Sequence, residues 1–555
     1  MQRLFPAIVA LGLLGCAPGS VDGRAPASPT KSARGLVRPG TPDDVNIAAA
    51  RARNLPHAFP WLPLGPEIFE RARREHKLVL LDGAAEWCHW CHVMDETTYR
   101  DPEIARILRE RFLTARVDVD ERPDIAERYG SFGWPATILF SPDGEELGKY
   151  RGYLPADELR AILEEAERSP KPGPFTEAPR GLESLPGPVE ALGLITGFAA
   201  LQLDGYYDEK QGGWGQRQKS PLGANVVFEL RRAARGDQGA LARARLTLEK
   251  QRALLDPVWG GVYQYSTGGS WASPHYEKLM PYQTANLEAY ALGYAATRDE
   301  ALLADARRIA GYLSTFLSNP DGAFLVSQDA DVGAHDPASL FVDGDIYHRL
   351  SDPERRKLGV PRVDDHVYAH ENGLAISAFC ALFDASRDPA ILARARRAAD
   401  LMLRTLVAPD GGVLRGTGKT RYLGDAASLG RAFALLAERT GEGAYRDAAL
   451  RLAAAMERDF ADPATGALWA HTADPAAAGV FARRTQPFAS NVLAARFLAA
   501  LSHTTGDQSL RDRGRKLLAA VTTPKVLEGQ GRMIGELLLA LDELGVVAWS
   551  AGKTR

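Results

Sequence analysis

Hydrophobic positions follow two different spacings along this chain, and the change of spacing divides it into two parts. In the first part, short apolar runs are bounded by turn residues, which is typical of buried strands. Such runs lie at 78–81, 112–119, 136–140 and 147–150, and a helical pattern follows at 155–168. This order of strands and helices predicts an α/β domain.

From Val189 onward, apolar residues recur at the helical period of about 3.6 residues. This predicts helices at Val189–Leu203, Ala224–Arg235, Gln238–Leu255, Gln283–Thr297, Glu300–Leu317, Glu371–Ala385, Pro389–Val407, Gly424–Thr440, Glu442–Phe460, Pro487–Thr505, Asp507–Val521 and Gly529–Gly545. Long and short connections alternate, and alternate connections of antiparallel hairpins lie at the same end. We therefore expect every long loop on one face of an (α/α)6 barrel; a superhelical solenoid is the alternative.

The motif Cys88-His89-Trp90-Cys91-His92 carries the most chemical information. CxxCH is typical of covalent c-type haem, whereas CxxC at a helix start after a strand is typical of a thioredoxin-like redox site. The preceding apolar run and its Asp82-Gly83 turn favour the second interpretation. Two buried cysteines without a redox role are a third.

At a helix start, amide N–H groups and the helix dipole stabilise a thiolate. Cys88 is therefore the expected nucleophile and the more exposed sulfur, and Cys91 the resolving thiol. His89 and Trp90 lie between the two thiols and should tune their potential and access. No metal or cofactor is predicted, because four donors in so tight a run cannot easily converge on one tetrahedral ion.

The surroundings of the motif resemble thioredoxin. The matching residues are Ala85-Glu86-Trp87-Cys88, Asp82 six residues before the first cysteine, and Pro135 at the opening of a strand. This resemblance implies that Asp82 is a buried proton acceptor and that Pro135 follows a cis bond beside the dithiol. It also implies that Trp134 offers main-chain groups to an extended substrate, with Trp87 and Trp90 nearby.

A longer stretch, from Pro60-Trp61 through the CxxC motif to Asp120-Glu121-Arg122-Pro123-Asp124-Ile125, is similar to the family that includes spermatogenesis-associated protein 20. Later matches are Pro274-His275-Tyr276-Glu277-Lys278, Gln328-Asp329-Ala330-Asp331 and Pro487 to Asn491. The resemblance implies a thioredoxin-like domain followed by a helical domain resembling the (α/α)6 barrels of glycosidases and sugar epimerases.

The predicted long loops carry candidate binding residues. His275, Glu277, Asp329 and Asp331 are expected near the mouth of a cleft, where two carboxylates could serve as general acid and base on a sugar bond. Several aromatic residues could stack on sugar rings: Trp214, Trp259, Trp271, Tyr263 and Tyr265. Alternatively, these aromatics plug the barrel end and the aspartates cap helices.

The first residues have the pattern of an export signal. Arg3 precedes an apolar run from Leu4 to Leu14, and Leu13-Leu14-Gly15-Cys16 resembles a bacterial lipoprotein signal. This implies cleavage before Cys16, lipidation of its thiol, and anchoring at the periplasmic face of the outer membrane. A non-lipidated export signal is the alternative.

The expected organisation is a signal peptide at 1–15, a flexible tether at 16–45, a thioredoxin-like domain at 46–175 and a helical barrel at 186–550. The net charge of −3 gives no sign of a nucleic-acid surface. Of four cysteines, Cys16 is assigned to lipid and Cys380 to an apolar helix, which leaves the CxxC pair for redox chemistry.

Three functions follow from these patterns. The first is an envelope thiol–disulfide oxidoreductase whose barrel selects its protein thiol or disulfide partner. The second is a carbohydrate-active enzyme, and the third is a non-catalytic binding scaffold.

Overall fold

The computed structural model describes residues 57–171, 187–334, 339–416 and 418–546. The predicted signal peptide, the tether and the lipidation candidate Cys16 lie outside these described residues. None of the described helices combines the length and the apolar character that crossing a bilayer requires.

The first domain is built on a four-stranded sheet. Its elements are α1 (Pro66–Glu75), β1 (Leu78–Ala84), α2 (His89–Glu96), α3 (Pro102–Arg111), β2 (Phe112–Asp118), α4 (Pro123–Tyr129), β3 (Ala136–Phe140), β4 (Glu146–Arg151) and α5 (Ala156–Arg168). The strand order is β2-β1-β3-β4; β1 runs parallel to β2 and antiparallel to β3, and β3 runs antiparallel to β4. The predicted strands and closing helix are confirmed.

The first four residues of the central strand β1, Leu78–Leu81, are apolar because helices cover both faces of the sheet. Leu80 packs with Leu108 of α3 and Leu163 of α5 on one face. Its neighbours Val79 and Leu81 point to the other face and pack against α1 and α4. The carboxyl end of β1 lies inside the domain, and the CxxC helix α2 begins a few residues later.

The second part of the chain is helical, with short strands in its loops. Its elements are α6 (Leu192–Gly205), α7 (Gly223–Ala234), α8 (Gln238–Gln251), β5 (Tyr265–Ser266), β6 (Pro274–His275), β7 (Lys278–Leu279), α9 (Met280–Thr297), α10 (Glu300–Thr315), β8 (Ser327–Gln328), α11 (Gly344–Tyr347), α12 (Asp352–Leu358), β9 (Val363–Asp364), α13 (Ala369–Ser386), α14 (Pro389–Thr405), α15 (Leu423–Thr440), α16 (Gly443–Phe460), α17 (Phe488–Thr505), α18 (Gln508–Val521), α19 (Pro524–Gln530) and α20 (Gly535–Glu543).

Six of these helices form a closed inner ring. Around the ring, α7 contacts α9, followed by α13, α15, α17 and α20, and α20 returns to α7. An outer helix packs on each of them: α8, α10, α14, α16, α18 and, on α20, α6. Because the last inner helix contacts the first, the arrangement is the predicted (α/α)6 barrel and not a solenoid.

The long loops converge on one end of this barrel, as the alternation of loop lengths predicts. Neighbouring loops are joined to each other by main-chain pairing, for example through the sheet β7-β8-β9 and the bridges Lys219–Ser266 and Tyr422–His471. Arg532 closes the circle by donating to Trp214 O (2.9 Å) in the first loop. The loops therefore form one continuous platform.

Close packing within the inner ring gives a testable consequence at Gly373 of α13. A Cβ there would lie 2.5 Å from the backbone carbon of Ser428 in α15, a clash that only a shift of one helix relieves. We expect Gly373→Ala to lower the free energy of unfolding by about 1–3 kcal/mol, measured by urea denaturation.

Gly311 of α10 is the matched control, because a Cβ there meets nothing within 4 Å. Gly311→Ala should raise the free energy of unfolding by about 0.5–1 kcal/mol through helix propensity. If both variants unfold at the same urea concentration, the close approach of α13 and α15 is not a structural constraint.

Candidate functional site

The two cysteines of the CxxC motif lie at the start of α2 and are joined by a disulfide. Cys88 is the N-cap residue, and its Sγ accepts a hydrogen bond from Cys91 N (3.2 Å). The helix dipole favours a thiolate at this position once the bond is reduced. The strand-then-helix context agrees with the thioredoxin interpretation of the motif rather than with the haem interpretation.

The peptide bond between Trp134 and Pro135 is cis, as predicted. Pro135 is buried and directly precedes β3. Trp134 packs in the same apolar cluster as Cys88 and Cys91. Its ring also lies against Gly83 of β1, where a Cβ would come within 2.8 Å of the ring, so a glycine is required for this approach.

Asp82 is buried on β1, as the resemblance to thioredoxin implies, but it is not an isolated carboxyl. Arg116 Nε donates to Asp82 Oδ2 (2.8 Å), and the same guanidinium pairs with Asp95 (2.9 Å). Burial raises the pKa of Asp82, and the charge of Arg116 opposes this rise. A role as proton acceptor therefore stays a prediction.

The dithiol is covered by the barrel. Leu279, at the end of β7, and Tyr282, in the first turn of α9, pack in the apolar cluster that contains Trp87 and both cysteines. Cys88 is 3% exposed and Cys91 is 6% exposed. Both residues are therefore nearly inaccessible to solvent, and which sulfur is the more exposed stays a prediction.

The histidines of the motif contact the aspartates that the sequence placed in a long loop. His89 Nδ1 lies 2.7 Å from Asp331 Oδ2, and His92 Nδ1 lies 3.8 Å from Asp329 Oδ2. Both carboxylates are buried, and Asp331 Oδ1 also accepts from Gly344 N (2.8 Å). His92, Asp329 and Asp331 together offer a group of donor atoms that could hold a metal ion.

These contacts change the charge state of the groups involved. Burial disfavours the charged form of His89, but the Asp331 carboxylate outweighs it and raises the pKa of His89 to about 9. Burial raises the pKa of Glu277 to about 7, and His89 opposes that rise. At neutral pH the CxxC helix therefore presents a positive imidazolium to an acidic surface of the barrel.

Asp120 and Arg415 form a second contact region beside the dithiol, and sequence reasoning assigned neither of them a role. Trp87 Nε1 donates to Asp120 Oδ2 (2.7 Å). Arg415 donates to the main-chain oxygens of Asp120 and Glu121 and pairs with Asp425 Oδ1 (2.7 Å). Burial raises the pKa of Asp120 to about 8. Asp120 lies in the stretch from Asp120 to Ile125 that resembles the family, which could have indicated it; no such signal exists for Arg415.

Main-chain contact fixes the two domains at their rim. Val480 N donates to Gly144 O (2.9 Å), and a Cβ at Gly479 would lie 2.3 Å from that oxygen. Deeper in the interface, Ser490 near the start of α17 donates to Glu127 of α4. The first domain therefore reaches the inner ring of the barrel.

The remaining predicted binding residues are not brought to a cleft. His275 stacks on Tyr265 (4.2 Å between ring centroids), and Trp90 packs near Tyr153 (5.8 Å). Glu277, Asp329 and Asp331 lie beneath α2, so their expected position at a cleft mouth is wrong. Four of the five aromatic candidates for sugar stacking are buried as loop plugs: Trp214, Trp259, Trp271 and Tyr263.

An open cleft does exist elsewhere between the domains. Its volume is about 570 Å³, and its walls include Arg122, Tyr368, Arg415, Tyr422 and His471. None of the four predicted residues His275, Glu277, Asp329 and Asp331 lines it. The cleft and the dithiol are therefore separate features of the same interface.

The His89–Asp331 contact predicts a pH dependence. Asp331→Asn should lower the pKa of His89 from about 9, because burial is then opposed only by the weaker effects of Asp343 and Glu277. Histidine-ring NMR titration measures this shift, and Asp345→Asn, on a half-buried residue of α11 whose carboxylate pairs with Arg349, should leave it unchanged. An unaltered His89 titration in Asp331→Asn would refute the ion pair.

The same pair affects stability with a definite sign. The folded-state pKa of His89 is raised above its ordinary value of 6.5. Its contribution to stability is therefore complete below pH 6.5 and is lost as the pH rises through about 9.

Several known proteins are similar in sequence to parts of this chain. Residues 52–165 match the thioredoxin DsbH family model, described as a protein of unknown function, DUF255. Human spermatogenesis-associated protein 20 is 28% identical over 316 residues, covering 50% of this chain and 40% of the human protein. The chain thus spans about two fifths of that relative's length.

Two further similarities concern the domains separately. Thiol:disulfide interchange protein DsbD 1 of Pseudomonas aeruginosa is 38% identical over 85 residues, or 14% of either chain. Cellobiose 2-epimerase of Spirochaeta thermophila is 13% identical, with a TM-score of 0.48 and coverage of 64% of this chain and 98% of that chain. The sequence matches confirm the predicted resemblance: the first domain is thioredoxin-like, and the chain is similar to spermatogenesis-associated protein 20.

Proposed function

We propose that this protein is a thiol–disulfide oxidoreductase whose barrel controls access to the dithiol. The observation that carries the proposal is the Cys88–Cys91 disulfide at the N-terminus of α2, beside the cis peptide bond of Trp134–Pro135. The similarity of 85 residues to a thiol:disulfide interchange protein supports it.

The chemistry is reversible exchange of two electrons. In the reducing direction, the Cys88 thiolate attacks one sulfur of a partner disulfide, forms a mixed disulfide and expels a partner thiolate. The Cys91 thiolate then attacks Cys88 Sγ, which releases the second partner thiolate and regenerates the Cys88–Cys91 bond. Each sulfur–sulfur bond formed replaces one that is broken, so no other oxidant or reductant is needed.

In this proposal, the barrel determines which partner proteins can reach the dithiol. Leu279 and Tyr282 cover the cysteines, so a protein partner must displace this platform or compete for it before exchange can begin. His89 favours the covered state through its ion pair with Asp331. Partners that engage the loop platform would therefore react faster than small disulfides of equal potential.

We do not propose glycoside hydrolysis at the carboxylates that the sequence suggested. Asp329 and Asp331 are 2% and 1% exposed and face the CxxC helix. A sugar ring needs two carboxylates on opposite sides of an accessible bond. A carbohydrate ligand of the barrel, if one binds, would have to use the separate cleft lined by Tyr368 and Tyr422.

The redox proposal is tested by cysteine variants in an insulin-reduction assay with dithiothreitol as the electron source. Cys88→Ser and Cys91→Ser should reduce the rate to the uncatalysed level. Only Cys91→Ser should accumulate a mixed disulfide with oxidised glutathione, because its Cys88 thiolate can attack but cannot be resolved.

Cys380→Ser is the matched control. Cys380 is a free and fully buried cysteine of the barrel, and burial raises the pKa of its thiol to about 12. Its variant should retain the parental rate. Parental activity in Cys88→Ser would contradict a redox role for the motif.

We further propose that the protein is a lipid-anchored component of the bacterial envelope, on the basis of the Leu13-Leu14-Gly15-Cys16 motif. Cys16→Ser should prevent incorporation of labelled palmitate and release the protein from the membrane fraction. Ala17→Ser, which keeps the cysteine, should behave as the parent does. Membrane association of Cys16→Ser at the parental level would contradict lipid anchoring.

A further inference from the structure

The register of the barrel's small sheet brings three carboxylates together beside the CxxC helix. Lys278 pairs with Gln328 in the antiparallel strands β7 and β8. Glu277 precedes Lys278 and Asp329 follows Gln328, so both lie just beyond the same end of this strand pair, where the charges of Asp329 and Asp331 act on Glu277. Asp331 N donates to Asp329 Oδ1 (3.1 Å). Glu277, Asp329 and Asp331 are 4%, 2% and 1% exposed, respectively.

His92 adds an imidazole to this group from the other domain. The distance of 3.8 Å between His92 Nδ1 and Asp329 Oδ2 exceeds the range of about 2.7–3.2 Å of an N–H···O bond. One donor atom from each of His92, Asp329 and Asp331 lies within 4.8 Å of the others. Two donors bound to one tetrahedral zinc ion at about 2.1 Å are about 3.4 Å apart, so small side-chain rotations suffice to bring all three onto one ion.

Glu277 provides an independent indication of a ligand. Its Oε2 is buried and has no hydrogen-bond partner among the described residues. A buried polar atom without a partner costs about 1–3 kcal/mol, and more when it is charged. His89 pairs with Asp331, and a divalent cation next to Glu277 Oε2 would give this buried oxygen a partner.

We propose that His92, Asp329 and Asp331 bind a divalent transition-metal ion of the Zn²⁺ class between the two domains, with the buried Glu277 carboxylate beside them. Imidazole nitrogen and carboxylate oxygen are both ligands of Zn²⁺. His89, which hydrogen-bonds Asp331 Oδ2, then acts as the outer residue that orients a metal-binding carboxylate. Since His92 directly follows Cys91, the ion ties the CxxC helix to the barrel and keeps the dithiol covered.

The test uses the full chain with the Cys88–Cys91 pair oxidised, so that thiolates do not bind the metal. Chelator-treated protein is titrated with Zn²⁺ against a chromophoric competitor. We expect one Zn²⁺ per chain and an increase in melting temperature. Asp329→Asn, which replaces a charged ligand, should weaken the affinity at least about 100-fold, because even an outer-residue substitution costs about 10–100-fold.

The melting temperatures of the metal-free proteins show whether a variant has lost only the metal site or has also lost its fold. Metal-free Asp329→Asn should melt close to the temperature of the metal-free parent, since asparagine has the same shape and keeps an oxygen that can accept from Asp331 N. A lower melting temperature, with Zn²⁺ affinity retained, would overturn the proposal.

Asp365→Asn is the matched control. Asp364, Asp365 and His366 form another group of donor atoms, of which Asp365 and His366 are exposed. This variant should bind Zn²⁺ as the parent does. The proposal is overturned if the parent binds no stoichiometric Zn²⁺, or if binding is lost in Asp365→Asn and kept in Asp329→Asn. The double variant Cys88→Ser plus Cys91→Ser should retain the metal, so this result does not depend on the redox proposal.

Discussion

The ion pair between His89 and Asp331 lies at the centre of the interface and fixes how the CxxC helix meets the barrel. An ionised carboxylate that is 1% exposed must be compensated by charge and hydrogen bonds, because its hydration has been lost. His89 supplies a positive charge and a hydrogen bond, and Gly344 N supplies a second hydrogen bond. The position of Cys88 under Leu279 follows from this contact.

The barrel can provide such a platform because its inner ring is closed. In a closed ring every inner helix has a neighbour on both sides. Loops of different length can therefore be added only at the two ends of the barrel. The short connections leave one end compact, and the long loops at the other end pair with each other through main-chain bonds. A thioredoxin-like domain therefore meets a preformed surface, in which Lys278 and Gln328 set the register of the residues that it contacts.

The sequence predicts the parts of this molecule better than their assembly. Strands such as Ala136–Phe140 and the helical hairpins follow from local periodicity, and loop alternation places the long loops at one end. His89 and Asp331, by contrast, are 242 positions apart, and no periodic pattern links them. The error over Asp329 and Asp331 arises here, since the sequence places them correctly in a long loop but does not reveal what covers that loop.

The aromatic residues illustrate a different limit. A tryptophan after a glycine turn has the same sequence pattern whether it lines a binding groove or fills the end of a barrel. Trp271 packs so closely on Gly213 that a Cβ there would approach its ring to 2.7 Å. Only the three-dimensional surroundings distinguish these two roles. Here the surroundings of Trp271 show that it fills the end of the barrel.

The contact between Gly144 and Gly479 sets the separation of the two domains by main chain alone. At this rim the spacing therefore does not depend on side chains, whereas the His89–Asp331 pair holds the CxxC helix against the barrel. A chain that replaced either glycine with a larger residue would lose this spacer, and its dithiol would stand further from the barrel.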